Sequence, residues 1–68
     1  MKKWKVVLDT LGYKHEDGHR DFKERHIIAT CAVEGEAHLI AYALEPHYKP
    51  LTDRDYPTSN KYILAVTQ

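Results

Sequence analysis

Two of the five histidines in this 68-residue chain, His15 and His19, stand four apart among Glu16, Asp17 and Asp21. A His-x3-His step is a spacing at which two imidazoles can reach one metal ion. A closed tetrahedral zinc site needs two more ligands, and His26 across the hairpin and an acid of the turn are the nearby choices. No paired cysteines accompany the histidines, and Gly18 leaves the turn pliable where a structural site needs fixed geometry. The expectation is therefore a solvated polar turn with no metal and no cofactor. His38 and His47 read as a helix-face residue and a partner for a helix C-terminus. For nucleophilic chemistry the only pair to weigh is Cys31 with a histidine, because a thiol needs a neighbouring base or positive charge to react at neutral pH. Cys31 falls near the end of an apolar stretch, the setting of a small buried hydrophobe, and is expected to be inert. No carboxylate sits in an apolar context that would raise its pKa toward general-acid duty, and so short a chain has little room for a deep pocket. No catalytic residue is assigned and the chain is not expected to be an enzyme.

Binding chemistry is better represented. Lys2, Lys3, Lys5, Arg20, Lys23 and Arg25 could gather along a first hairpin with Trp4 and Phe22 as stacking partners, the makings of a nucleic-acid face. Asp9, Glu16, Asp17, Asp21 and Glu24 interleave with them, and ten basic residues balance ten acidic ones across the chain. There is no global field to gather nucleic acid, which stays the alternative to a protein partner. The stretch from Pro46 to Asn60 holds Tyr48, Asp53, Arg54, Asp55 and Tyr56, a mixture of aromatic anchor and charge that interfaces favour. With Pro46, Pro50 and Pro57 restricting its freedom, this segment reads as a long presented loop, and these five residues are the candidate contacts.

The elements that must position these groups follow from hydrophobic period. Trp4, Val6 and Leu8 alternate with Lys3, Lys5 and Asp9, the period of two of a strand with one apolar face. Residues 14 to 21 lack any apolar side chain and carry an Asp-Gly step, where the chain should reverse. Phe22 to Val33 regains strand character through Ile27, Ile28, Thr30 and Val33. From residue 36 to 45, Ala37, Ile40, Ala41 and Leu44 share a side at helical spacing, Glu34 and Glu36 suit the positive end of the dipole, and Pro46 reads as a stop. A second hairpin turning at residues 34 and 35, giving an all-β chain, is the alternative. Lys61 to Gln68 alternates again as a last strand. The expected fold is α+β, a three-stranded antiparallel sheet covered by one helix in the order β-β-α-β, with Trp4, Val6, Leu8, Ile28, Ile40, Leu44, Leu64 and Val66 as its core.

Length allows one core and one domain, and a domain this short buries only about 60% of the surface its unfolded chain exposes. A single cysteine excludes an intramolecular disulfide, so stability must come from packing or a partner, which could include a second copy of the chain. Only three apolar residues separate Lys5 from Asp9, unlike a secretory leader, so a cytoplasmic location is expected. No apolar run approaches the ~20 residues of a membrane span. In size and element order, carried by Trp4 to Leu8, Ile27 to Cys31, Glu36-Ala37 and Tyr62 to Val66, the chain resembles small bacteriophage-encoded inhibitors that switch off host enzymes or defence complexes. The resemblance implies a stoichiometric protein-binding inhibitor without a cofactor, and it carries over no functional residue.

Overall fold

The computed structural model describes residues 3–68, so Met1 and Lys2 lie outside the described residues. Four elements follow one another: β1 (Trp4–Lys14), β2 (Arg20–Cys31), α1 (Glu34–Thr52) and β3 (Lys61–Thr67). The strands form one antiparallel sheet in the order β2-β1-β3, so the first strand lies at the centre. The α+β reading holds, and a helix occupies the segment that an all-β chain would have needed as a second hairpin.

The alternation along β1 sets the two faces. Val6 is fully buried beneath α1, where Ala37 is its fully buried counterpart, with Trp4, Ile28, Ile40, Leu44, Leu64 and Val66 packed around them. Leu8 is half-buried and lies outside this cluster, while Cys31, Ala29 and Ala41 join it. The zero exposure of Ala37 explains the small residue there, since any added methylene would press on Val6 and Cys31. Val7 points the other way, toward the uncovered face, and is shielded between Ile27 of β2 and Ala65 of β3. On that face Asp9 and Arg25 meet at 2.7 Å across the strands, while Phe22, Ile27 and Ile63 stay more than two-fifths exposed.

The helix begins two residues earlier than its apolar stripe suggests and runs seven residues past the expected stop. Pro46 and Pro50 both lie inside α1, so the segment read as a loop from Pro46 is helix as far as Thr52. The physical reason is the continuation of the stripe: Leu44, Tyr48, Leu51 and Thr52 are half-buried at the same spacing as Ala37, Ile40 and Ala41. Both prolines are exposed and stand four apart on the opposite side. Each removes one helical N–H, freeing the carbonyls of Tyr42 and Pro46, and both freed carbonyls face water. Packing along one side outweighs the local penalty on the other. Lys49 sits in the last turn, and Lys61 Nζ donates to the Thr52 carbonyl at 2.6 Å, satisfying the helix end. Among the described residues, no helix is long and apolar enough to cross a membrane.

Candidate binding surface at the hairpin tip

The β1–β2 turn is built from backbone chemistry. His15 N–H donates to the His19 carbonyl at 2.8 Å and Gly18 N–H to the His15 carbonyl at 2.9 Å, with Gly18 at φ 92°. That backbone conformation is one L side chains rarely adopt, so the Asp-Gly step is a geometric need. Asp17 closes the turn from within: its Oδ1 accepts the His19 N–H at 3.0 Å, an Asx turn, and the His19 ring Nδ1–H at 3.1 Å. The strands emerge with His15 and His19 side by side, their rings 4.5 Å apart and only 11° from parallel. His19 ends the turn just before β2 and Asp21 is the second residue of that strand, which carries its carboxylate to both rings: His15 Nε2 lies 3.0 Å from Oδ2 and His19 Nε2 3.4 Å from Oδ1. The tip is exposed throughout, yet its groups act on one another. Hydrogen bonds from His19 hold the Asp17 carboxyl below the usual carboxylate range, that from His15 does the same for Asp21, and Asp17 raises the His19 imidazole.

The second half of the surface is the connection from α1 to β3, residues 53 to 60, and it is fastened to the hairpin by one side chain. Arg20, at the start of β2, is only 6% exposed. Its Nη1 donates to the carbonyls of Gly12 at 3.0 Å and Ser59 at 2.7 Å, and its Nη2 to the Tyr56 carbonyl at 2.8 Å and to Asp55 Oδ1 at 3.0 Å. The planar guanidinium fork is suited to holding several acceptors at once. Lys14 adds an N–H to the Pro57 carbonyl at 3.1 Å and an ammonium 4.0 Å from Asp55. Ser59 N–H returns to the Tyr56 carbonyl at 3.1 Å, making the loop a closed turn.

The five candidate contacts therefore occupy different situations. Tyr48 is on α1, half-buried, with its ring edge-on to His47. Asp53 pairs with Lys49 at 3.2 Å and Asp55 with Arg20, so both carboxylates are engaged within the chain. Arg54 and Tyr56 are exposed on the fastened loop, Tyr56 by 67%. Tyr13, near the end of β1, is 59% exposed and edge-on to His15.

No known family, curated protein or solved structure matches this chain.

Arg20 is the residue that sequence reasoning misplaces. Composition groups Arg20 with exposed basic side chains, but from its place opposite Lys14 it reaches inward to the carbonyls of Gly12 and Ser59. Asp21 is named among the acids around the histidine pair, and only the chain reversal shows that it is the one that reaches both rings. His26 sits opposite Leu8, on the side of the sheet that carries α1, away from the tip. A separate cleft of about 570 Å³ lies between α1 and β3, lined by His38, Tyr42, Glu45, Lys61, Ile63 and Leu64 among others. The Lys61 ammonium within it is committed to the helix end.

Proposed function

We propose that this chain is a protein-binding module, a stoichiometric inhibitor or regulator of a larger protein in the cytoplasm, and that it engages its partner through the fastened loop with Tyr56 and Arg54 as anchors. The observation that carries this reading is the buried Arg20 fork, which holds the backbone on either side of Tyr56 while the phenol ring stays exposed. A loop ordered in advance loses little entropy when it docks, so its contacts convert more fully into affinity. Tyrosine and arginine are the residue types that most often dominate an interface. The partner this surface fits is a folded protein with a pocket for one phenol ring and a carboxylate placed to take the Arg54 guanidinium.

The alternative, nucleic acid along the first hairpin, has less support. Of the six basic residues proposed for it, Arg20 is turned inward and Arg25 is bidentate to Asp9 at 2.7 and 3.0 Å. Lys2 lies outside the described residues, and Lys3, Lys5 and Lys23 remain, too few to neutralise a run of phosphates.

The test is photo-crosslinking with a benzophenone side chain at position 56, compared with the same probe at exposed position 39 on α1. A crosslink specific to position 56 is expected, competed by the wild-type chain and weakened about thirty-fold by Arg54→Ala, the loss typical of removing an anchor worth ~2 kcal/mol. Equal crosslinking from both positions, or competition unaffected by Arg54→Ala and Tyr56→Ala, would refute the assignment.

A further inference from the structure

The hairpin tip holds a set of donors that the binding reading does not use. His15, His19 and Asp21 each place one ligand atom within 4.8 Å of the others. We infer that His15 Nε2, His19 Nε2 and one Asp21 oxygen form a site for a divalent transition ion of the zinc type, with a fourth position open to water. The expectation of a metal-free turn rests on the lack of paired cysteines and on a pliable Gly18, whereas Asp21 supplies a third donor and the Asx turn closes the loop around Gly18.

The three donors are within reach of a single ion. With metal–ligand bonds of 2.0 to 2.2 Å, tetrahedral ligands stand about 3.3–3.5 Å apart. His15 Nε2 lies 3.0 Å from Asp21 Oδ2 and His19 Nε2 3.4 Å from Oδ1, so the carboxylate reaches both rings, and a small turn of it brings one oxygen to a shared ion. The rings stack nearly parallel with centroids 4.5 Å apart, so binding requires the two exposed side chains to rotate until both in-plane Nε2 lone pairs meet beside Asp21. Two imidazoles with one carboxylate select zinc-class ions over magnesium and calcium, which favour all-oxygen sets.

The hydrogen bonding around His19 points to the same conclusion. A carboxylate can only accept, so a ring nitrogen 3.1 Å from Asp17 Oδ1 carries the hydrogen, and that nitrogen is Nδ1. In the neutral ring, Nε2 then presents a lone pair to the Asp21 oxygen 3.4 Å away. Two acceptors face each other there, an arrangement that calls for a cation between them, either a proton on Nε2 or a metal ion. A carboxylate on the far nitrogen of a ligating histidine is the usual support for a metal site, fixing the tautomer and strengthening the ligand. Asp17 is anchored for that role by the Asx turn and by Gly18. His15 would bind in its other tautomer, its ring hydrogen moved from Nε2 to Nδ1 so that Nε2 presents a lone pair to the ion.

The site is tested on the full chain alone, without a partner. Metal-stripped protein is titrated calorimetrically with zinc chloride at pH 7.5, and the imidazole nitrogens are followed by long-range ¹⁵N NMR. One zinc per chain is expected, with the Nε2 signals of both His15 and His19 shifting on binding. His15→Ala, His19→Ala and Asp21→Asn should each weaken binding at least about ten-fold, Asp17→Asn by about ten- to a hundred-fold through the lost support, and magnesium should not compete. All four positions are exposed, and an unchanged amide spectrum for β1 and β3 confirms that each variant folds. Failure to saturate at one zinc per chain, nitrogen shifts at only one histidine, or full affinity in Asp21→Asn would overturn the assignment and leave two unrelated surface histidines.

Discussion

Replacing Arg20 by methionine keeps the length and apolar stem of the side chain while removing all its hydrogen-bond donors. Four acceptors lose a partner: the Gly12 and Ser59 carbonyls in part-buried positions, and the Tyr56 carbonyl and Asp55 carboxylate in exposed ones. The exposed pair passes to water at little cost. Each part-buried carbonyl left without a donor costs about 1–3 kcal/mol, so Arg20→Met should destabilise the domain by roughly 2–6 kcal/mol. Set against about 3–10 kcal/mol for a 68-residue domain, at roughly 0.05–0.15 kcal/mol per residue, that is a large fraction. At about 4–8 °C per kcal/mol for this size, the Tm should fall by at least ~8 °C. Thermal and urea unfolding followed by circular dichroism measure it, and Arg20→Lys, with one compact ammonium in place of a fork, should fall between the two. Hydrogen exchange adds a local readout: the Lys14 and Ser59 amides, which bond to Pro57 and Tyr56, should lose protection more than those of the β1–β3 ladder. A Tm within about 3 °C of wild type, with those two amides still protected, would refute the fastening role.

Pro46→Ala should stabilise the chain by about 1–2 kcal/mol, because it restores one helical hydrogen bond on the exposed side of α1 and loses only the smaller entropic benefit of proline in the unfolded state; a lower urea midpoint would show that the proline is packed in a way its exposure conceals. Cys31, 7% exposed beneath α1, should react with a thiol reagent only on the timescale of unfolding, and labelling within seconds under native conditions would contradict its burial. In chelator-containing buffer His19 should titrate above the ordinary histidine value of 6.5, and Asp17→Asn should lower it, as read by imidazole NMR shifts. The raised His19 contributes stability that is full below 6.5 and lost as pH climbs through its folded value. Asp17 and Asp21, held low, contribute stability that is present above 3.8 and lost as pH falls through theirs. The tip should therefore be tightest in mildly acidic solution, and equal hydrogen-exchange protection of the His19 amide at pH 5.5 and pH 8 would argue against it.

Element order was legible in the sequence because period is a local property: two in β1 and β3, near 3.6 in α1. The helix end was not. Pro46 and Pro50 are strong local stop signals, and they are overridden by the burial of Tyr48 and Leu51 against the sheet, which a reading of neighbouring residues alone does not weigh. Val7 escaped the expected core for a related reason, since alternation assigned it to the polar face, and only a central position for β1 brings Ile27 and Ala65 to cover it. At the tip, His-x3-His was visible while Asp21 required the strand register. Arg20 needed the tertiary meeting of hairpin and loop, 35 to 39 residues apart in the chain, which no spacing rule contains.

The central place of the first strand has a consequence for synthesis. β1 is made first, yet one of its two edges has no neighbour until Lys61–Thr67 arrives, and α1 packs chiefly on that last strand. Between completion of β2 at Cys31 and completion of β3 at Thr67 the ribosome adds 36 residues, about 2–7 s at 5–20 residues per second. For that interval, and while the exit tunnel still shelters β3, the nascent hairpin carries an open strand edge and the helix an uncovered apolar stripe. Those are the surfaces that chaperones bind and that neighbouring nascent chains can pair with. A translational pause within the loop from Asp53 to Asn60 should therefore lower the soluble yield of this chain, and faster codons over the same stretch should raise it.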